Sequence, residues 1–135
     1  MKALRVALIT PMLLLVACVS ATPVKPAPIA PEEEPKMKAA LVGTCHVVMT
    51  QAPGGAPKED KGIHLTFQPD GKLHYRIESP VGDVTNDSTY RLDGRNVVSD
   101  GIYKTMRVDE YGDRKLLLFV YDISKIFHCT KDQKV

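Results

Sequence analysis

Three cysteines, four histidines and a scatter of serines and aspartates carry whatever chemistry beyond packing this 135-residue chain could perform. Cys45 and Cys129 offer the first possibility. No C-x-x-C spacing marks them as a metal pair. In an oxidising compartment two such residues read as a disulfide rather than as free thiols. Closing a loop of that length would stabilise the fold by about 4–5 kcal/mol in the chain-entropy model, as an upper figure. The histidines are His46, His64, His74 and His128. The hairpin register argued below sets His64 opposite Arg76 and His74 opposite Thr66, so His64 and His74 lie diagonally on one outer face, about 7–8 Å apart at Cα. Two imidazoles with no evident third ligand favour solvated side chains over a metal site. Ser79, Ser88, Ser99 and Ser124 fall in expected turns without a Gly-x-Ser-x-Gly elbow. Gly54-Gly55 lacks the Lys-Ser/Thr of a phosphate loop. Asp70, Asp93, Asp100 and Asp113 are explained as turn formers. The expectation is a non-enzymatic chain with no catalytic residue, metal or cofactor.

The third cysteine, Cys18, stands in a different setting. Lys2 and Arg5 form a positive start, and the run from Val6 to Val16 is apolar except for Thr10 and Pro11. That run is too short for a mature membrane span and reads as the core of a secretory signal. It ends in Leu15-Val16-Ala17-Cys18, which resembles the lipobox of bacterial lipoproteins. The resemblance implies cleavage of residues 1–17 and lipidation of Cys18. It further implies a lipid anchor in the cell envelope, with the outer membrane as the expected site, and several acyl chains would make that anchor stable. Losing Lys2 and Arg5 would take the formal charge from +2 to about zero. A balanced charge leaves no footprint for nucleic acid.

Residues 18–37 read as a linker. Prolines at 23, 26, 28, 31 and 35 favour extended polyproline II, long enough at ~3.1 Å per residue to hold a domain well clear of a membrane. Glu32-Glu33-Glu34 reads as a solvated charge run. Residues 38–135 remain as one small domain, expected to be all-β. Ile63 to Phe67 and Lys72 to Glu78 alternate apolar and polar residues, the mark of strands with one buried face. Gln68-Pro69-Asp70-Gly71 between them suits a three-residue hairpin loop with Gly71 in the left-handed region, pairing Phe67 with Leu73 and Leu65 with Tyr75. Asp93-Gly94, Asp100-Gly101 and Gly112-Asp113 punctuate the remainder. Counting from Leu41–Gln51 gives about eight strands and no segment of helical period. An up-and-down barrel closing its first strand on its last would bring Cys45 beside Cys129 and remove two exposed sheet edges.

Leu41-Val42-Gly43-Thr44, the hairpin Leu65–Leu73 and Tyr90-Arg91-Leu92-Asp93-Gly94 together resemble the small lipocalin-like domains of bacterial lipoproteins. The resemblance implies a binding or structural module. It departs at Cys45, where such domains often carry a Trp that plugs the barrel base, and in the absence of a long C-terminal helix.

Two features bear on function. Lys104 shares the parity of Ile102, Met106 and Val108. It is expected to point inward at the barrel mouth, opposite Val120 and diagonal to Asp122, either snorkelling to water and pairing with Asp122 or serving as a cationic anchor for an acidic ligand. The strand Leu116–Tyr121 is apolar on both faces. With Leu116, Leu118 and Val120 inward, Leu117, Phe119 and Tyr121 face outward, joined by Tyr103 opposite Tyr121. These four are expected either to form a surface for an envelope protein partner or to be covered by the linker or the Ala52–Lys61 loop. The leading expectation is a protein-interaction module, and the runner-up is a lipocalin-like carrier of a small apolar or acidic ligand.

Overall fold

The computed structural model describes residues 28–132; the expected signal segment, Cys18 and most of the expected linker lie outside the described residues. Helix α1 spans Glu34–Leu41. Eight strands follow: β1 Gly43–Gln51, β2 Lys58–Phe67, β3 Lys72–Ile77, β4 Val84–Asp93, β5 Asn96–Ser99, β6 Thr105–Tyr111, β7 Lys115–Val120 and β8 Lys125–Lys131. Each pairs antiparallel with its sequence neighbour, and β8 returns to β1, closing the barrel. The β2–β3 hairpin has the expected register, Phe67 opposite Leu73 and Leu65 opposite Tyr75. Gly71 takes φ 88° at its turn, a conformation a Cβ would strain.

The inward row of the strands is the core. Leu65, Phe67, Leu73, Tyr75, Met106, Leu116, Leu118, Val120 and Phe127 are buried almost completely, each worth about 1.5–3 kcal/mol by transfer. Cys45 and Cys129 are bonded to each other within this core, their Cα atoms 5.3 Å apart across the β1–β8 seam. The bond stitches the closing pair, as the strand order required.

The helix departs from expectation. Pro35 sits in its first turn, where the missing N–H costs nothing. Met37 and Leu41, spaced i and i+4, are wholly buried against the core. The boundary expected at residue 38 thus falls inside an element of the domain. Glu33 is not merely solvated: it accepts a hydrogen bond from Tyr111 Oη at 3.1 Å and lies 3.6 Å from Arg95. At the other end of the helix the Lys131 ammonium donates to the carbonyls of Ala40 and Val42, a cation on the negative end of the helix. Two apolar knobs from α1 therefore plug the base that a Trp would have plugged.

Candidate functional site

The segment after β5 sets the orientation of Tyr103 and Lys104, and it reverses both. Residues 100–104 form a bend, and β6 begins only at Thr105. Strand parity therefore does not carry back from Met106. Tyr103 turns inward, 8 % exposed, with its ring edge-on to Tyr75 at 5.9 Å and Phe127 at 5.5 Å. It is core and not part of an outer contact surface. Lys104 points outward and is exposed, with Nζ donating to Asp100 O at 3.1 Å. It does not line the interior. Asp122 meets it through the backbone, accepting the amide protons of Lys104 and Thr105. The β6–β7 register also differs by two residues: the turn pairs Tyr111 with Leu116, and beyond a bulge between Val108 and Glu110 the strands set Val108 opposite Leu118 and Met106 opposite Val120.

The bend closes the barrel mouth. Tyr75 Oη, deep among apolar side chains, donates to Tyr103 O at 3.1 Å and pairs with Ser99 Oγ at 2.9 Å. Burial pushes the Tyr75 phenol above its ordinary value, while these bonds oppose the shift. Gly101 packs so tightly here that a Cβ would lie 2.3 Å from the Tyr75 ring. Clefts of about 550 Å³ and 510 Å³ open on the outer surface, one between α1 and the β6–β7 turn, the other along β3 and β4.

The outer face of β7 keeps the expected parity. Leu116, Leu118 and Val120 are buried; Leu117, Phe119 and Tyr121 are half-buried on the opposite side. Phe119 and Tyr121 stack edge to face at 5.0 Å. Sequence reasoning passes over the residue that organises them. Arg107, directly opposite Phe119 on β6, places its guanidinium 4.9 Å from the Phe119 ring centre and 5.7 Å from that of Tyr121. Asp109 holds the same guanidinium at 2.5 Å and 3.3 Å, and that hydrogen bond raises the Arg107 pKa further. Ile126, opposite Phe119 on β8, extends the patch. An arginine fixed by a carboxylate over two aromatic rings is a rigid amphipathic platform. The signal available in the sequence was Arg107-x-Asp109 on the strand before an aromatic outer row.

The histidines do not converge on a metal. His64 faces His46, whereas His74 is bound to Asp87 at 2.5 Å and His128 to Gln51 at 2.9 Å. Among the described residues no group of three or more His, Cys, Asp or Glu is placed to hold a metal ion.

No family model and no curated protein matches the chain. Two solved structures share its architecture. A lipocalin-like protein from Bacteroides uniformis superposes with a TM-score of 0.59 at 15 % identity, over 69 % of this chain and 99 % of that one. An uncharacterized protein from Bacteroides eggerthii does so with a TM-score of 0.57 at 15 % identity, over 68 % and 99 %. At this identity the likeness is one of fold: the chain is a closed eight-stranded antiparallel barrel of the lipocalin-like kind.

Proposed function

We propose that this chain is a membrane-anchored envelope lipoprotein whose barrel serves as a non-enzymatic protein-interaction module. The anchor rests on the lipobox-like Leu15-Val16-Ala17-Cys18 after a basic start and an apolar run. The interaction role rests on one observation: Leu117 and Phe119 on β7 and Tyr121 just beyond it are half-buried on the outer side, with Arg107 held over the two rings. Aromatic residues and arginine are the side chains most enriched at interface anchors. Tyr103, now core, drops out of the surface, and Ile126 and Arg107 join it. A carrier role would need room inside the barrel, and the support for it is weaker: Tyr75, Phe67, Phe127 and Met106 occupy the interior and Tyr103 fills the mouth.

Phe119→Asp tests the surface. The new carboxylate would sit within reach of Arg107, so the fold should hold. Site-specific photo-crosslinking from β7 in the native envelope should give a defined partner band that this substitution abolishes. A band of undiminished strength from a folded Phe119→Asp protein would refute the surface. Cys18→Ser, followed by fatty-acid labelling, tests the anchor separately. Label retained on that variant would end the lipoprotein reading.

A further inference from the structure

On the opposite side of the barrel, four groups stand in a line across the tail, β1, β2 and the residue that follows β3. His46 Nε2 is 2.7 Å from Asp132 Oδ1; His46 Nδ1 is 2.7 Å from His64 Nδ1; His64 Nε2 is 3.5 Å from Glu78 Oε1. Hydrogen-bonding rules fix where the protons sit. Asp132 only accepts, so His46 Nε2 must carry a proton and donate it. Neutral His46 then has a bare Nδ1, so the proton between the rings must belong to His64 Nδ1. Neutral His64 is left with a bare Nε2 facing a carboxylate. That atom is buried and has no hydrogen-bond partner, on a side chain 17 % exposed. Such an orphan is uncommon and calls for a physical reason.

One added proton resolves it. We propose that the His46–His64 pair is a proton-operated switch: on acidification His64 becomes an imidazolium that donates from Nδ1 to His46 and from Nε2 to Glu78. The four groups then form one continuous chain joining Asp132 in the tail to Glu78 just after β3. The geometry favours a proton over a metal ion. The ring centroids are 4.9 Å apart with the nitrogens 2.7 Å apart, so the two nitrogens point almost directly at each other. That is the arrangement of a linear N–H···N bond. Two bonds of about 2.0–2.1 Å to one metal ion would need the rings either to converge at an angle or to stand farther apart.

The surroundings set the working range. Burial, then the Arg76 guanidinium, then His46 lower the His64 pKa, and Glu78 opposes them. Arg76 is itself held by Glu78 at 3.0 Å and Asp83 at 3.3 Å. Gly62 shapes the approach of Glu78. Its missing side chain leaves room for that residue, whose Cβ and Oε2 would lie 3.3 Å and 3.4 Å from an added Cβ. The transition therefore falls below the ordinary histidine value of about 6.5. The sign for stability follows. The folded chain binds this proton less tightly than the unfolded one. The contribution of His64 is present above about pH 6.5 and is lost as pH falls through its folded transition.

Long-range proton–nitrogen NMR of the full chain from pH 8 to 4.5 reads the tautomers directly. At pH 8 His64 should carry its proton on Nδ1 and His46 on Nε2. On acidification His64 should gain an Nε2 proton with a midpoint below 6.5. Glu78→Gln should lower that midpoint, Arg76→Gln should raise it, and His74→Ala should leave it unchanged. His64 found with its proton on Nε2 at pH 8 would overturn the proposal. So would a midpoint indifferent to Glu78→Gln. Zn²⁺ added alone that displaces the shared proton at stoichiometric concentration would make the pair a metal site and overturn it equally.

Discussion

The two ends of this barrel are sealed by different physics. At the base, α1 inserts Met37 and Leu41, and polar contacts from Glu33 and Lys131 only hold the helix in place. At the mouth, a five-residue bend is held mainly by hydrogen bonds. Asp100 accepts from Thr89 N at 2.8 Å, Asp122 accepts from Lys104 and Thr105, and Tyr75 reaches Ser99 and Tyr103. Hydrophobic burial is proportional to area and tolerates small displacements. A hydrogen-bonded bend depends on geometry and contributes only about 0.5–1.5 kcal/mol net per bond. The base should therefore behave as part of the global core, and the mouth as the end that opens first.

Removing a base knob should have the largest effect. Leu41→Ala should cost about 2–5 kcal/mol in urea unfolding, with the m-value unchanged. A loss below about 1 kcal/mol would mean that α1 lies on the barrel without plugging it. Next comes crowding at the mouth. Gly101→Ala drives a methyl into Tyr75 and Ser88, and about 1–3 kcal/mol of destabilisation is expected by thermal melt. Unchanged melting would show that the bend shifts aside freely. Tyr75→Phe should cost about 1–2 kcal/mol by leaving Tyr103 O and Ser99 Oγ short of a partner. Its sharper readout is hydrogen exchange: amides of Gly101 and Thr105 should exchange faster while those of α1 keep their rates. Equal acceleration at both ends would abolish the distinction drawn between them. Lys104→Ala should be the smallest perturbation, within about 0.5 kcal/mol, because the side chain is exposed and its ammonium hydrogen-bonds to a backbone carbonyl.

The same contrast explains what was legible in the chain. The Leu65–Phe67 and Leu73–Tyr75 alternation, with Gly71 at the turn, specifies a local hairpin, and period and turn chemistry are both local properties. The outward row of β7 was legible for the same reason, since Leu116–Val120 is an unbroken strand. Tyr103 and Lys104 were not. Their parity was extended from Met106 through residues that are not strand, and one departure from the pleat exchanges the two faces. Helix α1 escaped notice because two apolar residues in an eight-residue, proline-containing segment give no helical periodicity. Its stability comes from the core it caps.

The sequence by itself determined the strand-and-turn grammar, the eight-strand count, the parity of β7 and a cysteine pair suited to closing a barrel. These follow from side-chain alternation and from residues that demand particular backbone angles. Tertiary structure decided how the two ends are filled, which way Tyr103 and Lys104 point, and that Arg107 lies over Phe119 and Tyr121. It also brought His46 to His64, while His64 and His74 stay diagonal as the hairpin register sets them. Each of these depends on contacts between elements distant in sequence, or on where a strand begins. A bulge or bend that shifts a register by one or two residues leaves no periodic trace in the chain.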